Sequence, residues 1–292
     1  MKWYYIQYRY REVLRMASLV SYNTNVVFNY LNSIECDREF QMHFHDIYEI
    51  YYFVDGEADY FVEGKQYRLK PDSLLLLAPH AIHGVRVNSP KPYKRYTIHF
   101  DADLVSIDRR AFLLSAFSDS KHDGTHEVYY QNLDNFDLYP YFDALTNCNH
   151  LPKDLSEKLT AIHIEALLAK LVEMRRSLHY SDEGITLSKT VVAVTNYINQ
   201  HLTENITLDG LCEQFYVSKV HLNRIFTKSI GTTVFEYIAY KRIALARRLL
   251  ENGVPAREAA IYVGYNDYST FFRAYKKITG CAPTYETFHY QE

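Results

Sequence analysis

His43, His45 and Glu49 stand close together in the chain, and His83 follows further on. In an extended segment residues two apart project to one side, so His43 and His45 share a face. With Glu49 and His83 they offer three imidazoles and a carboxylate, a donor set suited to Fe, Mn or Zn. A metal-free use is equally open. Glu49, Tyr51 and Phe53 alternate along one expected strand, and Arg95, Thr97 and His99 along a later one. Together they give a pocket with a polar floor and aromatic walls, fit for a small polar ligand. The 28 Tyr and 16 Phe make stacking on a sugar one candidate use of those walls, although aromatics also fill ordinary cores. The candidate effector residues are His43, His45, Glu49, Tyr51, His83, Arg95 and His99.

A second chemistry lies near the C-terminus, where one pattern occurs twice. Ser218, Leu222, Arg224, Phe226, Lys228 and Gly231 return 49 residues later as Asp267, Phe271, Arg273, Tyr275, Lys277 and Gly280. Each set reads as an N-cap, two apolar anchors with an Arg between them, a Lys near the helix end and a stopping Gly. A helix with polar donors at its N-terminal end fits the major groove of DNA. Anchoring Leu222, Ile225 and Phe226 inward leaves Lys219, Val220, Asn223, Arg224 and Thr227 outward. Anchoring Phe271, Ala274 and Tyr275 leaves Tyr268, Ser269, Thr270, Arg273 and Lys277. Arg can grip a guanine edge, Asn an adenine, and a Val or Thr methyl can pack on thymine. The bland alternative is a set of solvated helix charges; the duplication argues against it.

The elements that must position these residues differ between the two ends. Before each copy lies a shorter helix: one capped by Thr207 and carrying Leu208, Leu211, Cys212 and Phe215, the other starting at Pro255 with Ala259, Ala260 and Val263. Helix, tight turn, helix is the helix-turn-helix plan. Val234 to Leu250 reads as one long connecting helix with Phe235, Ile238, Ile243, Ala246, Leu249 and Leu250 on its core stripe. Ser188 to Leu202 supplies an opening helix, so about seven helices are expected in this compact all-α part. The N-terminal part reads as short strands: Tyr48–Val54, Tyr60–Val62, Leu74–Ala78, Ile82–Val87 and Arg95–Asp101, with turns at Asp55-Gly56 and Glu63-Gly64-Lys65. Such spacing suggests a small barrel or sandwich. Between the two parts, Pro152 to Leu178 reads as a helix with Leu155, Leu159, Ile162, Ala166 and Ala169 near heptad spacing and Leu167, Leu168, Leu171 and Met174 beside them. That stripe is wide enough both to pack on the barrel and to pair with a second subunit.

From about Val191 to Tyr285 the chain resembles the DNA-binding domain of the AraC/XylS transcription regulators. The resemblance rests on Val217-Ser218, Leu222-Asn-Arg224-Ile-Phe226, Gly231, Tyr237-Ile238, Lys241-Arg242, Ala246, Leu249-Leu250, Val263-Gly264-Tyr265, Phe271, Arg273, Tyr275-Lys276-Lys277, Gly280 and Pro283. Departures include Tyr216, where a smaller or positive-φ-tolerant residue is common, Cys212, Ala259 and Thr227. His43-x-His45-x3-Glu49-x6-Gly56 resembles the cupin barrel that serves many such regulators as a sensory domain; the later Gly64, Pro71, Pro79 and His83 match it more loosely, with Ser73 in the place of a Gly.

The resemblance implies an α+β multidomain chain: a cupin-like effector-binding domain over 1–150, a helical dimerisation and linker segment over 151–185, and a DNA-binding domain with tandem helix-turn-helix units over 186–292. Met16 offers a second start, which would make 1–15 an artefactual extension. The implied function is a sequence-specific, ligand-responsive activator of transcription, working as a homodimer on double-stranded operator DNA. A sugar or other small polar effector and RNA polymerase are the other implied partners. Regulators of this kind often keep the His-x-His…Glu pattern without a metal, so the resemblance implies no catalysis, no cofactor and no resident metal. The competing reading is a metal-dependent cupin enzyme or metal sensor fused to a DNA-binding domain.

Composition fits that division. From Thr186 onward 12 Lys and Arg face 9 Asp and Glu, a balance of +3 against −3 for the whole chain, which leaves −6 for the part before it. A basic module beside an acidic one suits nucleic-acid binding by the C-terminal part alone. No run approaches the roughly 20 apolar residues that span a membrane, and the aromatic, charged N-terminus lacks the apolar core of a signal peptide. Cys36, Cys148, Cys212 and Cys281 are far apart, without metal spacing, as expected of reduced thiols in the cytoplasm.

Overall fold

The computed structural model describes residues 19–23, 26–33, 42–89, 92–117, 128–177 and 189–283. The candidate start at Met16, the polar stretch Ser181–Gly184 and Cys36 lie outside these residues. The N-terminal part contains nine strands: β1 (Leu19–Asn23), β2 (Val26–Ser33), β3 (Tyr48–Asp55), β4 (Ala58–Val62), β5 (Lys65–Arg68), β6 (Ser73–Leu77), β7 (His83–Val87), β8 (Tyr93–Phe100) and β9 (Tyr129–Tyr130). They form a six-stranded sheet in the order β1-β2-β8-β3-β6-β9 and a three-stranded sheet in the order β5-β4-β7. All described pairings are antiparallel. The five strands expected from the sequence are present, each shifted by a residue or two at its ends, while β1, β2, β5 and β9 were not anticipated.

β3 shows why its sequence is aromatic and aliphatic almost throughout. The strand is buried from Glu49 to Phe53 because both faces of its sheet are covered. On one face Tyr51 and Phe53 join Leu75 and Leu77 against Ala58, Tyr60, Val62 and Tyr67 of the small sheet. On the other, Ile50 and Tyr52 join Leu74 and Leu76 against helices. A short helix α1 (Arg110–Leu114), then α2 (Tyr139–Cys148) and the 25-residue α3 (Lys153–Ser177) supply that cover.

α3 splits the wide stripe seen in the sequence into two faces. Ile164, Leu167, Leu168, Leu171 and Met174 are fully buried on the sheet side, each such burial contributing about 1.5–3 kcal/mol. Leu155, Ile162, Ala166 and Ala169 are exposed and Leu159 is half-buried, so the heptad-like row looks outward.

The C-terminal part has six helices among the described residues: α4 (Lys189–Gln200), α5 (Leu208–Gln214), α6 (Lys219–Ile230), α7 (Val234–Glu251), α8 (Ala256–Tyr262) and α9 (Tyr268–Thr279). The seventh expected helix is not among these residues. α7 is the spine. Its first half gives Val234, Tyr237 and Ile238 to a core with α4, α5 and α6. Its second half gives Ile243, Ala246 and Leu250 to a core with α8 and α9. Phe235, expected on the core stripe, is 53% exposed, because Tyr237 takes the buried place instead. Thr233 starts α7 with a full capping box to Glu236.

Candidate nucleic-acid interface and buried polar cluster

The caps that begin the two repeated helices are made as their sequences suggest. Ser218 accepts from the His221 N–H at the start of α6, and Asp267 from the Thr270 N–H at the start of α9. Both helices stop at a left-handed glycine, Gly231 with φ 85° and Gly280 with φ 78°. The buried anchors correspond across the 49-residue step: Leu222 with Phe271 and Phe226 with Tyr275.

The preceding helices do not share that step. α5 and its cap Phe215 correspond to α8 and its cap Val263 at a separation of 48. The second turn is therefore one residue longer. The left-handed turn residue is Tyr216 (φ 53°) in the first unit and Gly264 (φ 88°) in the second. Tyr216 tolerates the place because its ring is 95% exposed. Gly264 is required, because a Cβ there would lie 2.9 Å from the Thr203 carbonyl and 2.8 Å from Arg242 Nη2. Arg242 ties the two units together: Nε donates to the Leu202 carbonyl at 3.0 Å and Nη2 to that of Glu204 at 2.6 Å, with the guanidinium over the Tyr265 ring. The sequence marked Arg242 as characteristic but not its role.

The outward residues are presented unequally. Val220, Arg224 and Thr227 on α6, and Ser269, Thr270, Arg273 and Lys277 on α9, are exposed. Lys219 is exposed but held 2.5 Å from Asp209 of α5, which raises its pKa. Asn223 is half-buried, with Oδ1 packed away from any hydrogen-bond donor. Tyr268, expected outward, instead packs its ring on Phe271 with Arg257 over it. It thereby joins the edge of the second core. Two exposed side chains were missed: His221, 3.3 Å from Arg224 Nη2, and Lys276. His221 follows a cap by three residues and so lies one turn from Arg224, a spacing that could have identified it.

In the β domain the seven candidate effector residues lie in one region, though not in the arrangement expected. Cross-strand register sets Glu49 opposite His99, Tyr51 opposite Thr97 and Phe53 opposite Arg95. Glu49 is the hub. Its Oε2 lies 3.0 Å from His45 Nε2, 3.1 Å from His83 Nε2 and 3.3 Å from His99 Nε2, with all four side chains buried. Burial pushes the Glu49 carboxyl up, but the His99 and His83 charges and the imidazole hydrogen bonds outweigh it and hold the group well below the usual carboxylate range. Nδ1 of His45 bonds the Ile47 carbonyl at 2.9 Å and that of His83 the Ala81 carbonyl at 2.8 Å. His43 does not lie on a strand beside His45. It forms an isolated bridge with His83 and sets its ring against the His83 ring, 4.3 Å between centroids. The rings of His43 and His45 nonetheless lie on one side of the segment, 6.2 Å between centroids and both against the His83 ring, as residues two apart are expected to. Tyr51 contacts the Tyr93 hydroxyl, and the Arg95 guanidinium lies 5.7 Å from the Tyr51 ring while donating to Thr97 at 2.9 Å.

Two ion pairs and one histidine–carboxylate contact cross from the β domain to α7. Glu63 meets Lys241 at 2.5 Å, Asp46 meets Arg247 at 3.0 Å and His80 meets Glu251 at 3.5 Å. Phe44 packs on the second core, and Tyr240 packs on Met42, Phe61 and Ile82. The tip of the β4–β5 turn is held close to α4: a Cβ on Gly64 would lie 3.1 Å from Thr195 Cγ2. No local sequence signal foretells these contacts.

Comparison with known proteins agrees with both halves. Residues 33–133 match the AraC-like ligand binding domain and residues 211–285 a helix-turn-helix domain. The chain is 28% identical over 237 residues to the uncharacterized HTH-type transcriptional regulator YbfI of Bacillus subtilis, covering 80% of this chain and 81% of that one. It is 24% identical over 234 residues to the arabinose operon regulatory protein of Escherichia coli, covering 76% and 74%. A match to the bifunctional transcriptional activator/DNA repair enzyme AdaA of Bacillus subtilis is 33% identical over 104 residues but spans 35% of this chain and 49% of that one. Among the described residues no helix is long and apolar enough to cross a membrane. A ligand-binding β domain joined to tandem helix-turn-helix units, matched over most of its length by such regulators, makes this chain a member of the AraC/XylS family of DNA-binding transcriptional regulators.

Proposed function

We propose that the chain is a cytoplasmic, non-catalytic activator that binds operator DNA as a homodimer and recruits RNA polymerase when a small polar effector, such as a sugar, occupies its β domain. Effector recognition is assigned to residues 1–150, self-association to 151–185 and DNA binding to 186–292. Exposed Arg224 and Arg273 are the principal candidates for base contacts, with Val220, Thr227, Ser269, Thr270 and Lys277 around them. The outward Leu155, Leu159, Ile162, Ala166 and Ala169 row supports pairing of α3 with its counterpart in a second chain.

One observation carries the effector-responsive reading. α7, which bears both helix-turn-helix cores, is also the helix gripped by the β domain through Lys241, Arg247 and Glu251. A ligand shifts an equilibrium only through different affinities for its states. An effector that moves the loops carrying Asp46, Glu63 or His80 changes the hold on that spine, and so the placement of both recognition helices.

The test uses full-length protein and a duplex enriched by selection from random sequence, with affinity measured across a panel of small polar compounds that includes sugars. At least one compound is expected to change affinity about tenfold, within the usual range of allosteric coupling. In Asp46→Asn and Arg247→Gln variants that response is expected to shrink while DNA binding persists. Variants that respond as the parent does would remove the α7 route.

A further inference from the structure

We propose that the effector is a small hydroxy acid, with a carboxylate held by Arg95 and a hydroxyl held by Asn29. The proposal rests on the effector-responsive reading above and names the class of ligand that the interior of the β domain takes.

Strand register places both residues. Across the large sheet Leu31, Arg95 and Phe53 stand in one row, and Asn29, Thr97 and Tyr51 in the next. Residues directly opposite one another project to the same face. Leu31, Tyr51 and Phe53 belong to the core shared with the small sheet, so Asn29, Arg95 and Thr97 also point between the sheets. The Arg95 guanidinium, 5.7 Å from the centroid of the Tyr51 ring, agrees with that direction.

Arg95 is the one buried arginine among the described residues, 8% exposed. Its Nη1 donates to Thr97 Oγ1 at 2.9 Å, and among the described residues no carboxylate or carbonyl meets its remaining donors. The arginines that tie the fold together are satisfied by it. Arg175 donates to the Ser115 and Ala116 carbonyls at 2.7 and 2.9 Å, Arg242 to those of Leu202 and Glu204, and Arg247 meets Asp46. Glu49, the acid two residues along from Tyr51, is taken up by three imidazoles. Asp59 alternates away from Ala58 and Tyr60, which face the interior, and accepts from Asn88 Nδ2 at 2.8 Å. A guanidinium does not deprotonate, and burying one without an anion is costly. The anion is therefore assigned to the ligand.

Charge and shape choose which anion. One guanidinium charge balances one carboxylate, whereas the second charge of a phosphate monoester would stay buried without a counterion. The planar fork of an arginine also matches both oxygens of a carboxylate. Asn29 sets the second requirement. It is 2% exposed, and its Oδ1 has no donor. An amide oxygen only accepts, so the ligand brings the donor. A hydroxyl does so without placing a second positive charge beside Arg95, as an ammonium would. Asn29 lies one register row from Arg95, so the two groups of the ligand are a few bonds apart. Aldonic, uronic and shorter hydroxy acids have this form.

The test uses full-length protein and pairs of compounds that differ at the acid group: galacturonate against galactose, glucuronate against glucose, and glycerate against glycerol, with glycerol phosphate as the phosphate arm. Binding is read by calorimetry and by affinity for the selected duplex. At least one acid is expected to bind about tenfold or more tightly than its neutral partner, and to lose about tenfold or more in Arg95→Gln and in Asn29→Leu. Without ligand, Arg95→Gln and Arg95→Met are expected to melt at or above the temperature of the parent, because a buried charge is removed. With the acid present the order reverses. A lower ligand-free melting temperature in both Arg95 variants would make the guanidinium part of the fold and overturn the proposal. No binding by any of the acids, equal binding by the neutral partners, or tighter binding by the phosphate would overturn it as well, and these three are read on the parent alone. If an acid binds through Arg95 and leaves duplex affinity unchanged, the site stands and the effector-responsive reading fails. If a neutral sugar changes duplex affinity in the parent and in Arg95→Gln alike, that reading stands and the acid is wrong.

Discussion

Tyr216 and Gly264 occupy the same left-handed place in the two helix-turn-helix turns, and substituting each tests the 48-residue correspondence. Gly264→Ala puts a residue with a Cβ at φ 88°, which costs roughly 1 kcal/mol. The new Cβ would lie 2.9 Å from a backbone oxygen and 2.8 Å from the Arg242 guanidinium. Crowding of this kind costs about 1–3 kcal/mol, and the stiffer unfolded chain returns about 0.4–1 kcal/mol. The net loss is about 2 kcal/mol, or roughly a 30-fold faster opening at 1.4 kcal/mol per tenfold. Tyr216→Gly runs the other way. Its ring is 95% exposed, so little burial is lost; about 1 kcal/mol of left-handed strain is relieved and most of that is given back as unfolded-chain entropy. The net change is near zero to about 0.5 kcal/mol stabilising. Hydrogen exchange of the full-length chain, read by mass spectrometry, is the assay because it reports local opening. The loss for Gly264→Ala should be confined to α8, α9 and the second half of α7. An unchanged exchange rate in Gly264→Ala, or a clear destabilisation in Tyr216→Gly, would refute the argument.

Three other outcomes follow from the geometry. Arg224→Ala and Arg273→Ala should each cost about 1–3 kcal/mol on a selected duplex and relax preference at one position, measured by fluorescence anisotropy; an equal loss on all duplexes would make that Arg a phosphate contact. Leu159→Glu with Ile162→Glu should leave the fold intact, since Ile162 is 59% exposed, yet yield monomers in sedimentation; a persisting dimer would move the contact off α3. Glu236 has its pKa lowered chiefly by hydrogen bonding from Thr233. Its contribution is therefore fully present above the unfolded value of 4.5 and lost as pH falls below that through the folded value. Thr233→Ala should lower melting temperature at neutral pH, with the gap to the parent narrowing in acid; a gap independent of pH would contradict the capping role.

What could be read in advance was local. Caps, anchors and stopping glycines of α6 and α9 depend on neighbours within one turn, so their spacing was visible. The extra residue in the second turn was not, because Val263-Gly264-Tyr265 reads as a turn in either register. β2 escaped notice because Asn29 and Asn32 interrupt its apolar run; it is secured by a long register with β8. The alternation of Glu49, Tyr51 and Phe53 and of Arg95, Thr97 and His99 placed these residues inside. The hub at Glu49 depends on strands β3, β7 and β8 meeting in space. The Asp46–Arg247 pair joins residues 201 apart, and such a contact leaves no mark on either sequence neighbourhood. Tyr268 was misplaced because helical spacing gives a direction but not the width of the core edge it meets.

The central claim is that one chain presents two reading heads to DNA at a fixed separation. Selection of duplexes from a random library by the full-length protein tests it most directly. The account predicts an enriched motif with two elements per chain, centred about 10 bp apart on one side of the helix, the spacing of successive major-groove faces, and loss of one element each in the Arg224→Ala and Arg273→Ala proteins. A single short element unaffected by one of the two substitutions, or no enrichment at all, would contradict it.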